Sequence, residues 1–149
     1  PIEILGVGHS CLENSNPRLE MQGTANSYRQ MKELTGLTGA DMDLFLTNDF
    51  YNQSQMLAAE MCEYVPKGEG WQYLKEGRMS YKGDRPVNTN GGRCHYGHAA
   101  GASGLHDLYE AVHQMRGDAP TQVGHEVKHA MLRGFGGAQN LLNVMLEKK

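Results

Sequence analysis

Long hydrophobic runs are missing from this chain; none approaches the roughly 18 apolar residues that a membrane-spanning helix requires. Ile2 to Val7 is too short and lacks a basic start, so it does not read as a secretory leader. Cysteine is scarce as well. Cys11, Cys62 and Cys94 are widely spaced and odd in number, a usage that fits a reduced, intracellular protein and makes the cytoplasm the expected location. Neither sign of charge dominates: 14 Lys and Arg stand against 17 Asp and Glu, a formal net charge of -3, and the signs are interspersed. That balance argues against a nucleic-acid surface, which usually shows a basic stripe. Internal repeats and low-complexity segments are also lacking. The first residue is proline rather than methionine, which reads as a processed or excised piece. A length of 149 residues suits a single domain, residues 1–149, with one core.

What is present is glycine, concentrated in one place. From Pro86 to Gly104 the sequence P-V-N-T-N-G-G-R-C-H-Y-G-H-A-A-G-A-S-G sets five glycines around Cys94, His95, Tyr96 and His98. Glycine lets a backbone pass close to a ligand or take a positive φ, so this density predicts a tight loop. Leu105, Leu108, Tyr109, Val112 and Met115 follow at helical spacing, which predicts a helix directly after the loop with Ser103 as its cap. A histidine at that junction lies beside unpaired N–H groups that favour negative charge, a suitable place to stabilise an oxyanion.

Elsewhere the elements alternate. Ile2 to Gly8 reads as a strand apolar enough for burial on both faces, and residues 9–23, without periodicity, as a loop. A helix is predicted from a cap at Thr24 or Asn26 to about Leu34, with Gly36 ending it. Leu37 to Met42 connects to a strand at Asp43 to Thr47, which finishes at Asn48-Asp49. Asn52 to Glu63 is the next helix. Residues 65–85 form a long irregular excursion around Trp71 and Tyr73, and loops of that length usually serve a ligand or a subunit contact. The end predicts a hairpin of His129 to Phe135 and Leu141 to Glu147, joined by Gly136 to Asn140. The order β-α-β-α-loop-α-β-β predicts an α/β fold, a mixed sheet with helices packed on its faces. Met31, Met56, Met61 and Met115 fall at helix-core positions and read as packing.

Asn90-Gly91-Gly92, followed without gaps by Gly97-His98-Ala99-Ala100-Gly101-Ala102-Ser103-Gly104, resembles the double-glycine and G-H-P segments of the thiolase superfamily, with Ala99 in place of the proline. The similarity extends over nearly the whole chain, is closest to the sterol-carrier-protein-type thiolases, and covers only the C-terminal half of such an enzyme. It implies a mixed-sheet thiolase half and a reaction that makes or breaks a carbon–carbon bond beside an acyl-CoA thioester, with coenzyme A as substrate carrier and no other cofactor. By match to the G-H histidine, His98 activates the nucleophile and lends Nε2 to one oxyanion hole. Asn48-Asp49-Phe50-Tyr51 matches the N-E-A-F or H-D-C-F segment, whose first residue holds a water in that hole. An Asx turn capping the next helix is the structural alternative for Asn48, and both roles are compatible. Gly134, in Leu132-Arg133-Gly134-Phe135, matches the glycine of the terminal C-x-G motif, whose N–H forms a second oxyanion hole. Leu132 stands where that motif has its cysteine, and leucine cannot move a proton.

The candidate catalytic residues are therefore His98, Asn48, Gly134 and Tyr96, with Asp49, Phe50, Cys94 and His95 against the substrate. Tyr96, His95 and Cys94 are ionisable neighbours of His98 that offer a replacement proton carrier, Cys94 only if a nearby cation lowers its pKa. Packing or exposure along the loop is the plain alternative for each. Metal binding is not expected, because a zinc site wants four ligands in closed spacing and no C-x-x-C accompanies Cys94, His95 and His98, or the pair His125 and His129.

Three functional readings result. The first is a thiolase-like acyltransferase. The second, favoured by Leu132 and Tyr96, is a thiolase-fold lyase cleaving a β-hydroxyacyl-CoA by a retro-aldol route. The third is a non-catalytic acyl-CoA-binding subunit. The family's acyl-accepting cysteine lies in the N-terminal half, so this chain would need that half or a partner subunit. The resemblance also implies a homodimer and association with a small OB-fold, zinc-ribbon acyl-CoA-binding protein, with no nucleic-acid or membrane partner.

Overall fold

A computed structural model of the chain describes residues 1–11, 17–51, 53–136 and 140–149. Strands β1 (Ile2–Cys11), β2 (Leu44–Thr47), β3 (His129–Gly136) and β4 (Asn140–Lys148) form one sheet in the order β1-β4-β3-β2. β1 and β3 run antiparallel to β4, while β3 runs parallel to β2. The helices are α1 (Pro17–Thr35), α2 (Ser54–Met61), α3 (Gly70–Lys75), α4 (Gly92–Tyr96) and α5 (Ser103–Arg116). The sheet is mixed and carries helices on both faces, as the order of elements predicts.

Strand side chains alternate between two cores. Phe45, Met131 and Met145 point to one side, where they meet Tyr28 and Met31 of α1 and Ala58 and Ala59 of α2. Leu44, Leu46, Ala130, Leu132 and Leu146 point to the other, where they meet Ala111 and Met115 of α5. Burial on both faces is why β2 reads as an unbroken apolar run.

Residues 9–11 and 17–23 are not part of the loop expected over 9–23; residues 12–16 lie outside the described residues. β1 continues to Cys11, with His9 to Cys11 paired to Leu142 to Asn140. α1 begins at Pro17, a position where a helix tolerates proline because the first N–H groups have no intrahelical partner. Thr24 and Asn26 lie inside this helix instead of capping it. Its period is hidden because the buried side here is small and polar. Thr24 and Ser27 face Asn143, whose amide donates to the Thr24 carbonyl at 3.3 Å and to Ser27 Oγ at 2.7 Å. Small residues are needed because backbone meets backbone: a Cβ on Gly8 of β1 would run into the Ser27 carbonyl.

The helix expected over Asn52 to Glu63 spans only Ser54–Met61. Asn52 lies outside the described residues, as do Asn14 and Asn16 and the hairpin residues Gly137, Ala138 and Gln139. The 65–85 excursion contains α3 and otherwise turns, secured by Arg85, which stacks 3.8 Å from the Tyr64 ring and donates to the Gly39 carbonyl at 2.8 Å. The chain then returns beside β2. Phe45 N–H donates to the Pro86 carbonyl at 3.2 Å and Asn88 N–H to the Phe45 carbonyl at 3.1 Å. This short parallel contact delivers the glycine-rich segment to the end of β2.

α5 also differs from its sequence pattern. Its buried side carries Asp107, Glu110, Ala111, Gln114 and Met115, whereas Leu105 and Tyr109 of the apolar stripe are 67% and 62% exposed.

Candidate active site

β2 and β3 are parallel neighbours, so their C-terminal ends lie at the same margin of the sheet, where open α/β sheets take ligands. Their last register pair is Thr47 with Arg133, which makes Asn48 and Gly134 the first residues beyond it. Because β2 stops at Thr47, no strand among the described residues covers β3 on that side from Gly134 onward. Asn48 is buried. Its Oδ1 accepts the Phe50 N–H at 3.0 Å, an Asx turn, and its Nδ2 has no protein partner among the described residues.

A chain of polar contacts brings the glycine segment to this margin. Asn88 Oδ1 accepts the Thr47 N–H at 2.8 Å, and Thr89 Oγ1 donates to Glu110 Oε1 of α5 at 3.1 Å. Gly92 is pressed against Asp49, at φ +63° and so close that a Cβ would collide with the carboxylate. Asp49 Oδ1 then accepts the Arg93 N–H at 2.6 Å in the first turn of α4. Arg93 extends to α5, where Nη2 donates to the Ser103 carbonyl at 2.9 Å and pairs with Asp107, both side chains almost wholly buried. Burial pushes the Asp107 carboxyl up, against the opposing pull of the Arg93 guanidinium.

His98 follows directly. Its Nδ1 lies 2.9 Å from Ser103 Oγ, which also accepts the Ala99 N–H at 3.0 Å. Ser103, expected as the cap of α5, is instead its first residue; Ala102 holds the cap position, and the serine hydroxyl is directed to the histidine. Phe50 stands edge-on to the imidazole with centroids 4.5 Å apart, and 6.0 Å from Phe135 of β3. The segment after β2, the glycine loop and the end of β3 thus meet around Phe50. A cavity of about 380 Å³ opens there, lined by His98, Ala100, Gly101, Gly104, Phe135 and Gly136. Gly134 lines the adjoining apolar groove, which shares Gly101 and Gly104 with this cavity.

Cys94, His95 and Tyr96 do not line it. Tyr96 packs on His106 of α5 with centroids 4.1 Å apart, and burial pushes its hydroxyl well above the ordinary phenol range. His95 lies 6.0 Å from the Tyr96 ring and against Gly91. Cys94 lines a separate depression with Asp49, Gln55, Leu74 and Gly91, its Sγ donating to the Asp49 carbonyl at 3.4 Å. The lowering of its pKa that a cation would bring is not what the structure provides: the negative Asp49 carboxylate raises the thiol. Asp49 itself is buried and committed to α4, so it orients the loop. Leu132 is packed in the core beneath α5. Among the described residues, no three or more His, Cys, Asp or Glu side chains gather as metal ligands would; His125 Nε2 lies 3.1 Å from the Asp43 carbonyl and His129 Nε2 3.4 Å from Glu147.

Sequence reasoning missed Phe135, the Arg93–Asp107 pair and the contact of Ser103 with His98. The pair joins positions 14 residues apart through a loop whose course no periodicity reports. Phe135 had a signal, its place next to Gly134.

Two parallel strand ends beside a glycine loop that carries a histidine make this an α/β domain with its candidate site at the sheet margin. The family model described as thiolase C-terminal domain-like matches residues 7–147, and the chain belongs to that family. It is 32% identical over 130 residues to an acetyl-CoA acetyltransferase of Methanothermobacter thermautotrophicus, covering 87% of this chain and 34% of that enzyme. It is 32% identical over 142 residues to the benzoylsuccinyl-CoA thiolase subunit BbsB of Thauera aromatica, covering 92% and 37%. Human sterol carrier protein 2 is 32% identical over 112 residues, covering 74% and 20%. A solved Ltp2-ChsH2(DUF35) aldolase superposes with a TM-score of 0.81 at 20% identity, over 99% of this chain and 39% of that one, a likeness of fold. The chain therefore spans about a third of the first two relatives. Among the described residues, no helix is long and apolar enough to cross a membrane.

Proposed function

We propose that this chain is the C-terminal part of a thiolase-like acyltransferase that makes or cleaves a carbon–carbon bond beside an acyl-CoA thioester, and that it contributes the oxyanion-hole histidine, His98. The observation that carries this reading is the setting of that ring: Nδ1 engaged by Ser103, Nε2 without a protein partner among the described residues, and the whole at the mouth of a cavity where two parallel strands end. Breaking the bond leaves an electron pair on the fragment α to the thioester, and the charge spreads to the thioester oxygen. Donors already aimed at that oxygen lower the barrier, each contributing a factor of about 10² to 10³ in rate. His98 Nε2–H is one such donor and a water held by Asn48 Nδ2 is a second, whereas Gly134 pairs with Leu142 in the β3–β4 ladder and lines the adjoining groove.

The nucleophilic cysteine comes from outside this chain. The apolar groove beside α5 indicates how the remainder docks. α5 covers β2 and β3, and the β1–β4 side of the same face is left open as a groove of about 330 Å³ lined by Ile4, Val7, Leu105, Leu108, Leu142 and Val144 among others. Ile4 is 60% exposed there. Its occupant is an apolar surface of the rest of a thiolase-length protein, in the same polypeptide or in a partner subunit. The relative named as a thiolase subunit and the solved aldolase named for two proteins support assembly with a partner subunit. A homodimer of thiolase-like chains with an OB-fold, zinc-ribbon acyl-CoA-binding partner is the form that the motif resemblance implies.

A second reading, retro-aldol cleavage of a β-hydroxyacyl-CoA, is favoured by Leu132, which puts packed hydrocarbon where a proton-carrying thiol stands in the C-x-G motif. The two are separated by giving the assembled protein either a β-ketoacyl-CoA with free CoA or a β-hydroxyacyl-CoA alone. Thiolysis products from the first support the acyltransferase. Aldehyde or ketone release from the second alone replaces it with the lyase, and turnover of neither reduces the chain to an acyl-CoA-binding subunit.

A further inference from the structure

We infer that Ser103 is a positioning residue that sets the tautomer of His98, holding the neutral imidazole with its proton on Nε2. The argument is an accounting of one hydroxyl. Ser103 is buried, and its Oγ receives the Ala99 N–H at 3.0 Å. A serine hydroxyl has one proton to give and two lone pairs. Among the described residues, the only acceptor within reach of that proton is His98 Nδ1 at 2.9 Å. If Nδ1 carried its own hydrogen, Ser103 would accept twice and its proton would be left without a partner in a buried place, a costly arrangement. With the proton given to Nδ1, every group is satisfied: Ala99 N–H to Oγ, Oγ–H to Nδ1, and Nε2–H left available.

The rest of the loop keeps this geometry. Ser103 is the first residue of α5, and its carbonyl receives Arg93 Nη2 at 2.9 Å, so the arginine ties the serine to α4 on one side of His98. Phe50 limits ring rotation from the other side. The consequence deepens the reading above and rests on it: with its hydrogen on Nε2, His98 meets the substrate as a hydrogen-bond donor, suited to an oxyanion.

Long-range proton–nitrogen NMR of the assembled protein with labelled histidine tests this, the His98 signal being assigned by its loss in H98Q. The wild type is expected to show the Nε2–H tautomer alone at alkaline pH. In S103A the Nδ1–H form should appear, with kcat down about 10- to 100-fold, the size of loss when a partner orienting a ligating histidine is removed, and KM little changed. S103T, which keeps the hydroxyl, should restore both. A wild-type His98 protonated on Nδ1, or a tautomer unmoved in S103A, overturns the inference. Should S103A not fold, the wild-type spectrum decides. The spectrum does not depend on turnover, so an assembly inert toward acyl-CoA would refute the proposed function while leaving this result standing.

Discussion

At the scale of single residues, charge decides which groups near His98 are available for chemistry. Cys94 is exposed, yet the Asp49 carboxylate raises its thiol, so less of it is thiolate at neutral pH than in a free cysteine. Iodoacetamide should therefore modify Cys94 more slowly than the cysteine of an unstructured peptide, and C94A should leave turnover of the assembled protein within about twofold of wild type; rapid alkylation would show that a cation dominates instead. The Arg93–Asp107 pair matters in a different way. With both partners buried, D107A strands a charge and should cost about 3–5 kcal/mol in urea denaturation. R93M/D107L should recover most of that, because packed apolar side chains replace a buried pair at little cost.

At the scale of elements, what the sequence revealed and what it hid have the same physical basis. β2, β3 and β4 were legible because their side chains alternate between two apolar cores. The first half of α1 was not, since a helix whose buried side is Thr24 and Ser27 shows no hydrophobic period. The backbone contact at Gly8 imposes those small residues, and it yields a prediction. G8A must part α1 from β1 by a methyl group, so it should destabilise by about 1–3 kcal/mol, or more if neither element yields. An unchanged denaturation midpoint would mean that the two do not pack at this distance. The site divides in the same manner. His98, Asn48 and Gly134 were readable as motif positions, and Phe50, expected against the substrate, packs on the His98 ring, whereas Tyr96, His95 and Cys94 were adjacent in sequence but are turned elsewhere by α4. Proximity along a loop says little about direction once one helical turn intervenes.

At the scale of the whole molecule, the exposed stripe of α5 and the bare β1–β4 side belong to one groove. Leu105 lies in it at high exposure. L105E should leave the folding of this chain within about 0.5 kcal/mol, as surface changes usually do, while abolishing co-purification with the thiolase-like remainder or partner proposed above. Retained assembly would place that partner on another face.

The account depends most on His98, and steady-state turnover of acyl-CoA by the assembled protein, wild type against H98A, measures its contribution directly. Loss of one oxyanion donor predicts a fall in kcat of about 10² to 10³ with KM for the thioester nearly unchanged. H98A turning over at the wild-type rate would contradict the account.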